Sequence, residues 1–254
     1  MKASFTNILG VKVNSTNYKD TLRSVENWIK MNKKKYICVS NVHAIMECQK
    51  DPKLLKGVNA SDLVTPDGMP LVWLSKLYGK KKIKRVYGPT LMLKLCNLAQ
   101  KEGYKIYLLG GVNGLSRKLT QELRRKYSGI NIVGYRDTPI RPIPKKDNEK
   151  IIKEINGRGP QILFVGLGCP YQELWMIENR KKINAGILIG VGSAFDYFSG
   201  YRKQAPVWMQ RGGLEWLFRF FQEPKRLWYR YTITNLRFIH KIFTQLTSDF
   251  LINN

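Results

Sequence analysis

Asp67 is the first residue whose setting suggests chemistry. It lies in the stretch Asp62-Leu63-Val64-Thr65-Pro66-Asp67-Gly68, at the end of a strand, where a short apolar run gives way to a helical pattern. A carboxylate at a strand end can take a proton from a hydroxyl. An Asp there is also a good helix N-cap, and spacing alone favours the cap. Arg85 closes the basic run Lys80-Lys81-Lys82-Ile83-Lys84-Arg85 and leads into Val86-Tyr87-Gly88-Pro89, a turn suited to meeting a phosphate. The lysines of that run read as a solvated surface. Three further turns carry glycine, at Gly110-Gly111, Gly166-Leu167-Gly168 and Gly190-Val191-Gly192. Glycine lets backbone N–H groups approach a phosphate at a helix N-terminus. One such turn does no more than redirect a strand, but three put phosphate binding and plain turning on an equal footing. Gln172 and Glu173 open the helical segment after the second glycine turn, set to meet a sugar hydroxyl or to cap the helix. Asp196 follows the third turn, as a partner for a ribose or base N–H or as a surface carboxylate.

The elements that must position these groups alternate along the chain. Residues 5–14 read as two short strands around Gly10. Strands are expected at 36–40, 62–65, 85–87, 105–109, 130–135, 161–165 and 187–191. Helices are expected at 17–31, 42–49, 69–78, 90–101, 115–127, 148–156 and 171–182. Strands separated by helices imply βαβ units and a mostly parallel, Rossmann-like α/β sheet flanked by helices, with ligands beyond the carboxyl ends of the strands. The segment 136–146, with Pro139, Pro142 and Pro144, must be a loop. From Pro206 the composition shifts to Trp, Arg and Phe. The expected organisation is therefore a catalytic domain over residues 1–205 and a helical appendage over 206–254.

Charge narrows the partners. The 254 residues carry 44 Lys+Arg against 18 Asp+Glu, a formal net charge of +26, which calls for an anionic partner: nucleic acid, lipid surface or phosphorylated substrate. The four cysteines form no CxxC pair and there are two histidines, so neither a zinc site nor another metal site is expected. The N-terminal residues have no signal-peptide pattern. No stretch approaches the roughly 20 apolar residues of a membrane span. A cytoplasmic chain is expected, with any membrane contact peripheral.

Taken in order, Thr65-Pro66-Asp67-Gly68, Arg85-Val86-Tyr87-Gly88, Leu108-Leu109-Gly110-Gly111, Pro170-Tyr171-Gln172-Glu173, Gly192-Ser193-Ala194-Phe195-Asp196, Arg202-Lys203-Gln204-Ala205-Pro206 and Gly213-Leu214-Glu215-Trp216 resemble the WecG/TagA/CpsF glycosyltransferases over nearly the whole chain. The resemblance implies an inverting, metal-independent and cofactor-free transfer from a UDP-sugar to a polyprenyl-diphosphate-linked acceptor, in cell-surface polysaccharide synthesis. It implies Asp67 as the base, against the cap, with Arg85 near the diphosphate, Gln172 in the sugar pocket and Asp196 near the uridine. Asn41, Gly110, Gly111 and Glu173 join the expected substrate contacts. The sequence departs from the family's pattern at Val39, before Ser40-Asn41, and in the Pro-rich loop 137–146.

After Pro224, Arg226, Arg230, Arg237 and Lys241 are spaced to share one helical face, beside Trp228, Tyr231 and Phe238. That is the composition of a membrane-surface helix, or of a helix that closes the domain with its arginines solvated. The charge and the resemblance favour an anionic inner membrane face, with Arg219 and the later arginines available to close over a diphosphate. A homo-oligomer stays open. Two rivals fit less well. A nicotinamide-dependent oxidoreductase lacks the complete G-x-G-x-x-G turn. A nucleic-acid-binding module would spread its aromatics along a groove, and here they cluster at one end.

Overall fold

A computed structural model describes residues 4–252. The chain opens with an antiparallel hairpin, β1 (Phe5–Ile8) and β2 (Val11–Asn14), turned at Leu9-Gly10 with both residues left-handed. Helix α1 (Tyr18–Lys30) follows, capped by Asn17. The main sheet has six strands in the order β4 (Leu63–Pro66), β3 (Lys35–Ser40), β8 (Ile187–Gly190), β7 (Ile162–Gly166), β5 (Lys105–Gly110), β6 (Asn131–Arg136). Every pairing between them is parallel, as the alternation predicts.

Period-two side-chain alternation sorts the core into two layers. On one face Tyr36, Cys38, Tyr107, Leu109, Leu163, Val165 and Leu188 pack with α2 (Val42–Cys48), α3 (Pro52–Asn59), α7 (Lys145–Arg158) and α8 (Tyr171–Asn179). On the other, Ile37, Val39, Ile106, Leu108, Phe164 and Ile189 pack with α1, α5 (Gly88–Glu102), α6 (Leu115–Lys126) and α9 (Ala194–Phe198). The chain runs outward from β3 to β4 and re-enters with β5 beyond β8. This reversal opens a crevice at the carboxyl ends of the central strands.

Three local expectations change. Residues 85–87 form no strand. Val86 N–H donates to Pro66 O at 2.8 Å and Lys84 N–H to Thr16 O at 3.0 Å, isolated bonds outside any ladder. Helix α3, absent from the expected set, starts at Pro52 with Asp51 as its cap. Helix α7 begins at Lys145, inside the expected loop.

Helix α4 (Met69–Leu77) follows β4. Beyond Pro206 come α10 (Val207–Arg211), α11 (Glu215–Gln222), α12 (Pro224–Tyr229), a π-helical turn at Arg230–Thr234 and α13 (Asn235–Ile252). These helices fold back on the α/β core. Leu227 and Phe238 are buried, Phe238 within the first core layer. Gln245 returns to the hairpin, its Oε1 accepting from Leu9 N–H at 2.8 Å and its Nε2 donating to Asn7 O at 2.9 Å. Among the described residues no helix is long and apolar enough to cross a membrane.

Candidate active site

The carboxyl ends of β3, β4, β5, β7 and β8 open into a cavity of about 540 Å³. Its floor is strand-end backbone and Asn41, Asp67 and Gln172. Its far wall is Tyr201, Arg202, Arg219, Arg226 and Arg230, and the Pro-rich loop adds Pro139 and Arg141. A second cavity of about 120 Å³ lies alongside and shares Asn41, Asp67, Arg219 and Arg230 with the first. The rest of its lining includes His43, Met69, Arg85, Glu215, Trp216 and Tyr231.

Asp67 stands on the wall common to both cavities. Its N–H donates to Ser40 O at 2.8 Å, pinning the end of β4 to the end of β3. Its side chain does not cap α4, whose N-cap is Gly68 with no side-chain cap bond. The carboxylate's Oδ1 has no hydrogen-bond partner, and its nearest cation is Arg85 Nη2 at 3.5 Å. Burial pushes the Asp67 carboxyl up to about 6, with Arg85 pulling against it and Glu215 adding to it. A carboxylate poised there is ionised at neutral pH yet basic enough to accept a proton.

Arg85 is committed elsewhere. Its Nε donates to the Asp67 carbonyl, its Nη1 to Gln210 O at 2.9 Å and its Nη2 to Glu215 Oε2 at 2.7 Å. The guanidinium also lies 4.5 Å from the Tyr87 ring centre. It lines the smaller cavity, and the larger one is lined without it. The expectation that Arg85 meets a diphosphate therefore gives way to a different geometry: Arg85 ties the backbone of Asp67 to α10 and α11.

The glycine turns divide by role. Gly111 faces the cavity, whereas Gly110 is absent from its wall. A Cβ on Gly110 would sit 2.5 Å from Gly166 O, so glycine is required there by the close approach of β5 to β7. The N-terminus of α6 already holds an anion. The Asp137 carboxylate accepts from Gly114 N–H and from Ser116 N–H, the latter at 2.9 Å. That position, expected to be open to phosphate, is filled by the protein.

Gln172 lines the cavity, but its amide is spoken for. Oε1 accepts from Gly192 N–H at 3.0 Å and Nε2 donates to Glu173 Oε1 at 2.8 Å. Glu173 is buried behind it and off the cavity wall, contrary to the expectation of a direct contact. Burial raises its carboxyl above the ordinary range. The pair shapes the Gly190–Gly192 turn. Asp196 faces the cavity with Arg202 Nη1 at 3.0 Å, and Arg202 Nη2 also reaches Glu223 at 3.0 Å. Burial raises the Asp196 carboxyl, opposed by Arg202. Asn41 caps α2 by accepting from Ala44 N–H at 3.2 Å, and Arg230 Nη2 lies 3.5 Å from the same oxygen.

The basic face expected on one helix is divided by the π-helical turn. Arg226 and Arg230 line the large cavity, where Arg226 pairs with Glu223. Arg237 and Lys241 are exposed, Arg237 Nη1 donating to Tyr229 OH at 3.3 Å. Arg219 lines both cavities and is ion-paired to no described carboxylate within 4.0 Å. Among the residues not singled out from sequence are Arg141 and His43. His43 borders the smaller cavity and is held neutral, lowered to about 3 by burial and then by Arg230. Its position one residue into α2 gave no spacing signal. Among the described residues, no three His, Cys, Asp or Glu side chains gather into a metal-binding group.

Comparison with known proteins bears on what this crevice does. Residues 6–250 match the model of the glycosyl transferase WecG/TagA/CpsF family. Two curated relatives are named N-acetylglucosaminyldiphosphoundecaprenol N-acetyl-beta-D-mannosaminyltransferase. The Bacillus spizizenii protein is 30% identical over 199 residues, covering 78% of this chain and 76% of the relative. The Bacillus subtilis protein is 31% identical over 177 residues, covering 70% and 67%. The chain belongs to the WecG/TagA/CpsF family and is a glycosyltransferase.

Proposed function

We propose that this enzyme transfers an N-acetylhexosamine from a UDP-sugar to a sugar carried on a polyprenyl diphosphate, with inversion at the anomeric carbon. The relatives are named for an acceptor and product of that kind. The observation that carries the reading is Asp67, an ionisable carboxylate on the wall shared by two cavities. The large, arginine-lined cavity suits the nucleotide diphosphate, and the smaller one the acceptor sugar. Asp67 takes the proton of the acceptor hydroxyl as its oxygen bonds to the anomeric carbon. The bond from that carbon to the β-phosphate oxygen breaks, and UDP leaves with the electron pair. One displacement inverts the centre.

The departing diphosphate is neutralised by Arg219, Arg226 and Arg230, which face the cavity. Arg85 acts through Asp67, holding its backbone and moderating its charge. Gln172 and Glu173 fix the Gly190–Gly192 turn, and Asp196 with Arg202 is placed for the nucleoside. The acceptor's polyprenyl chain requires work at a membrane surface on the nucleotide-containing side, so peripheral attachment is part of the proposal. The test is product formation from a panel of UDP-sugars with a short-chain polyprenyl diphosphate N-acetylglucosamine. A β-linked disaccharide from an α-linked UDP-N-acetylhexosamine is expected. Retention of configuration, or no transfer from any UDP-sugar, overturns the reading.

A further inference from the structure

Helix α4 presents the wrong side to water for a soluble enzyme. Its inner face, Leu71, Val72 and Ser75, is buried. Its outer face carries Trp73, Lys76 and Leu77, at spacings of three and four, and so on one stripe. Trp73 is 55% exposed and Leu77 68% exposed. The chain then runs through Lys80, Lys81, Lys82 and Lys84, and residues 68–84 contain no Asp or Glu. Lys76, Lys81, Lys82 and Lys84 are exposed, and none is ion-paired to a described carboxylate within 4.0 Å. An aromatic and an aliphatic side chain pointing outward among unpaired lysines is the composition of a surface that meets anionic lipid head groups.

We propose that α4 and the lysine run after it form a membrane foot built into the catalytic core, separate from the C-terminal helices. The proposal rests on the reading of the acceptor as membrane-anchored. It also answers a geometric problem. Arg226 and Arg230 face the cavity, so two of the four charges expected to hold the C-terminal helices to lipid are turned inward. The lysines of the foot supply replacements. The position of α4 gives the contact a purpose. The helix starts next to Asp67, and Met69 and Pro70 line the smaller cavity. From Met69 to Leu77 it rises about 12 Å. A bilayer surface resting on Trp73 and Leu77 would thus lie about two helical turns from the cavity proposed for the acceptor. The helix and the proposed base are joined through Gly68, so docking the foot also sets the height of Asp67 above the lipid. The basic run is then more than a solvated surface.

The experiment is co-sedimentation of the full chain with vesicles of phosphatidylglycerol and phosphatidylcholine, and of phosphatidylcholine alone, all free of acceptor lipid. Trp73→Ser/Leu77→Ser is expected to lower partitioning about tenfold or more on both vesicle types. Lys76→Gln/Lys81→Gln/Lys82→Gln/Lys84→Gln is expected to lower it about fivefold per residue at low salt, on the anionic vesicles only. Trp73→Phe should retain most of the binding. Thermal melts of the variants should match the parent. Turnover with a water-soluble, short-chain acceptor should also be unchanged, because neither set of residues lines a cavity. Should the serine pair prove unfolded, the lysine set, all on the surface, decides the question. Unchanged partitioning of a folded lysine variant overturns the proposal. So does a folded serine variant that binds vesicles normally, including one that loses self-association in sedimentation velocity, which would make the face an interface between copies. Absence of transfer by the parent enzyme would instead sink the functional reading while leaving the lipid measurement standing.

Discussion

Replacing Asp67 by Asn should cost activity and add stability. The carboxyl has an ordinary value of 3.8 and is pushed up to about 6. Below pH 4 the folded and unfolded chains both hold this proton. Between pH 4 and 6 the unfolded chain releases it first, so the fold weakens as pH rises. Above pH 6 the penalty is constant. A shift of roughly two units is worth about 3 kcal/mol. That penalty is already net of the Arg85 attraction, and Glu215 at 2.7 Å keeps Arg85 paired; Asn removes it but buries a neutral amide short of hydrogen-bond partners, at a cost of about 1–2 kcal/mol. A net gain of about 1–2 kcal/mol is expected, and chains of this size gain about 2–4 °C per kcal/mol. Circular-dichroism melts should therefore show Asp67→Asn above the parent by about 2–8 °C at pH 7.5, with the difference nearly closed at pH 4.5. UDP release in the presence of acceptor should drop about 10²–10⁴-fold, the usual worth of a general base. A melt that falls at pH 7.5, or rises equally at both pH values, would refute the account of a strained buried carboxylate. Near-parental turnover would refute the base.

Arg85→Ala should destabilise the fold by about 3–5 kcal/mol in urea unfolding, because it leaves Glu215 buried without its cation; Arg85→Ala/Glu215→Ala should recover part of that loss. Arg219→Gln and Arg230→Gln should each weaken UDP binding about tenfold by calorimetry, whereas Arg237→Gln, which points away from the cavity, should leave it unchanged. Gly110→Ala should lower the melting temperature and reduce soluble yield, since its Cβ meets the Gly166 carbonyl, backbone that cannot step aside. Transfer should survive EDTA if the cavity's arginines stabilise the leaving group; strict dependence on added Mg²⁺ or Mn²⁺ would show that they do not.

The parallel sheet was legible because its strands are short apolar runs between amphipathic helices, as at 36–40, 105–109 and 161–165. The same signal misled at 85–87. Val86 and Tyr87 favour a strand, but no neighbouring strand offers a ladder, and their N–H groups donate singly, to the Pro66 carbonyl and the Tyr18 hydroxyl. Asp51-Pro52 carries the signature of a helix start, a capping acid before a proline in the first turn, on a segment too short to show a clear apolar stripe. At the site, the proximity of Asp67 and Arg85 could not be read from spacing, because Glu215 and Gln210, which hold Arg85, lie far along the chain. Asp137 reaches the start of α6 from the end of a different strand, so the glycine turn looked open to phosphate. The division of the C-terminal arginines depends on one π-helical turn. Such a turn inserts a residue into the helical register and has no sequence signature of its own.

The strand order also dictates how the sheet can assemble. β3 with β4 forms one pair, and β7, β5 and β6 form another ladder, and the two share no hydrogen bond until β8 enters between them. β8 is the last strand among the described residues, and Ile187 must find Lys35 across most of the sequence. During synthesis the inner edges of β3 and β7 therefore wait unpaired. Loop closure of that length is slow, and an open parallel edge is sticky. Substitutions in Ile187–Gly190 should consequently act on folding yield more than on the stability of the finished molecule, and helper chaperones should matter most while this one strand is outstanding.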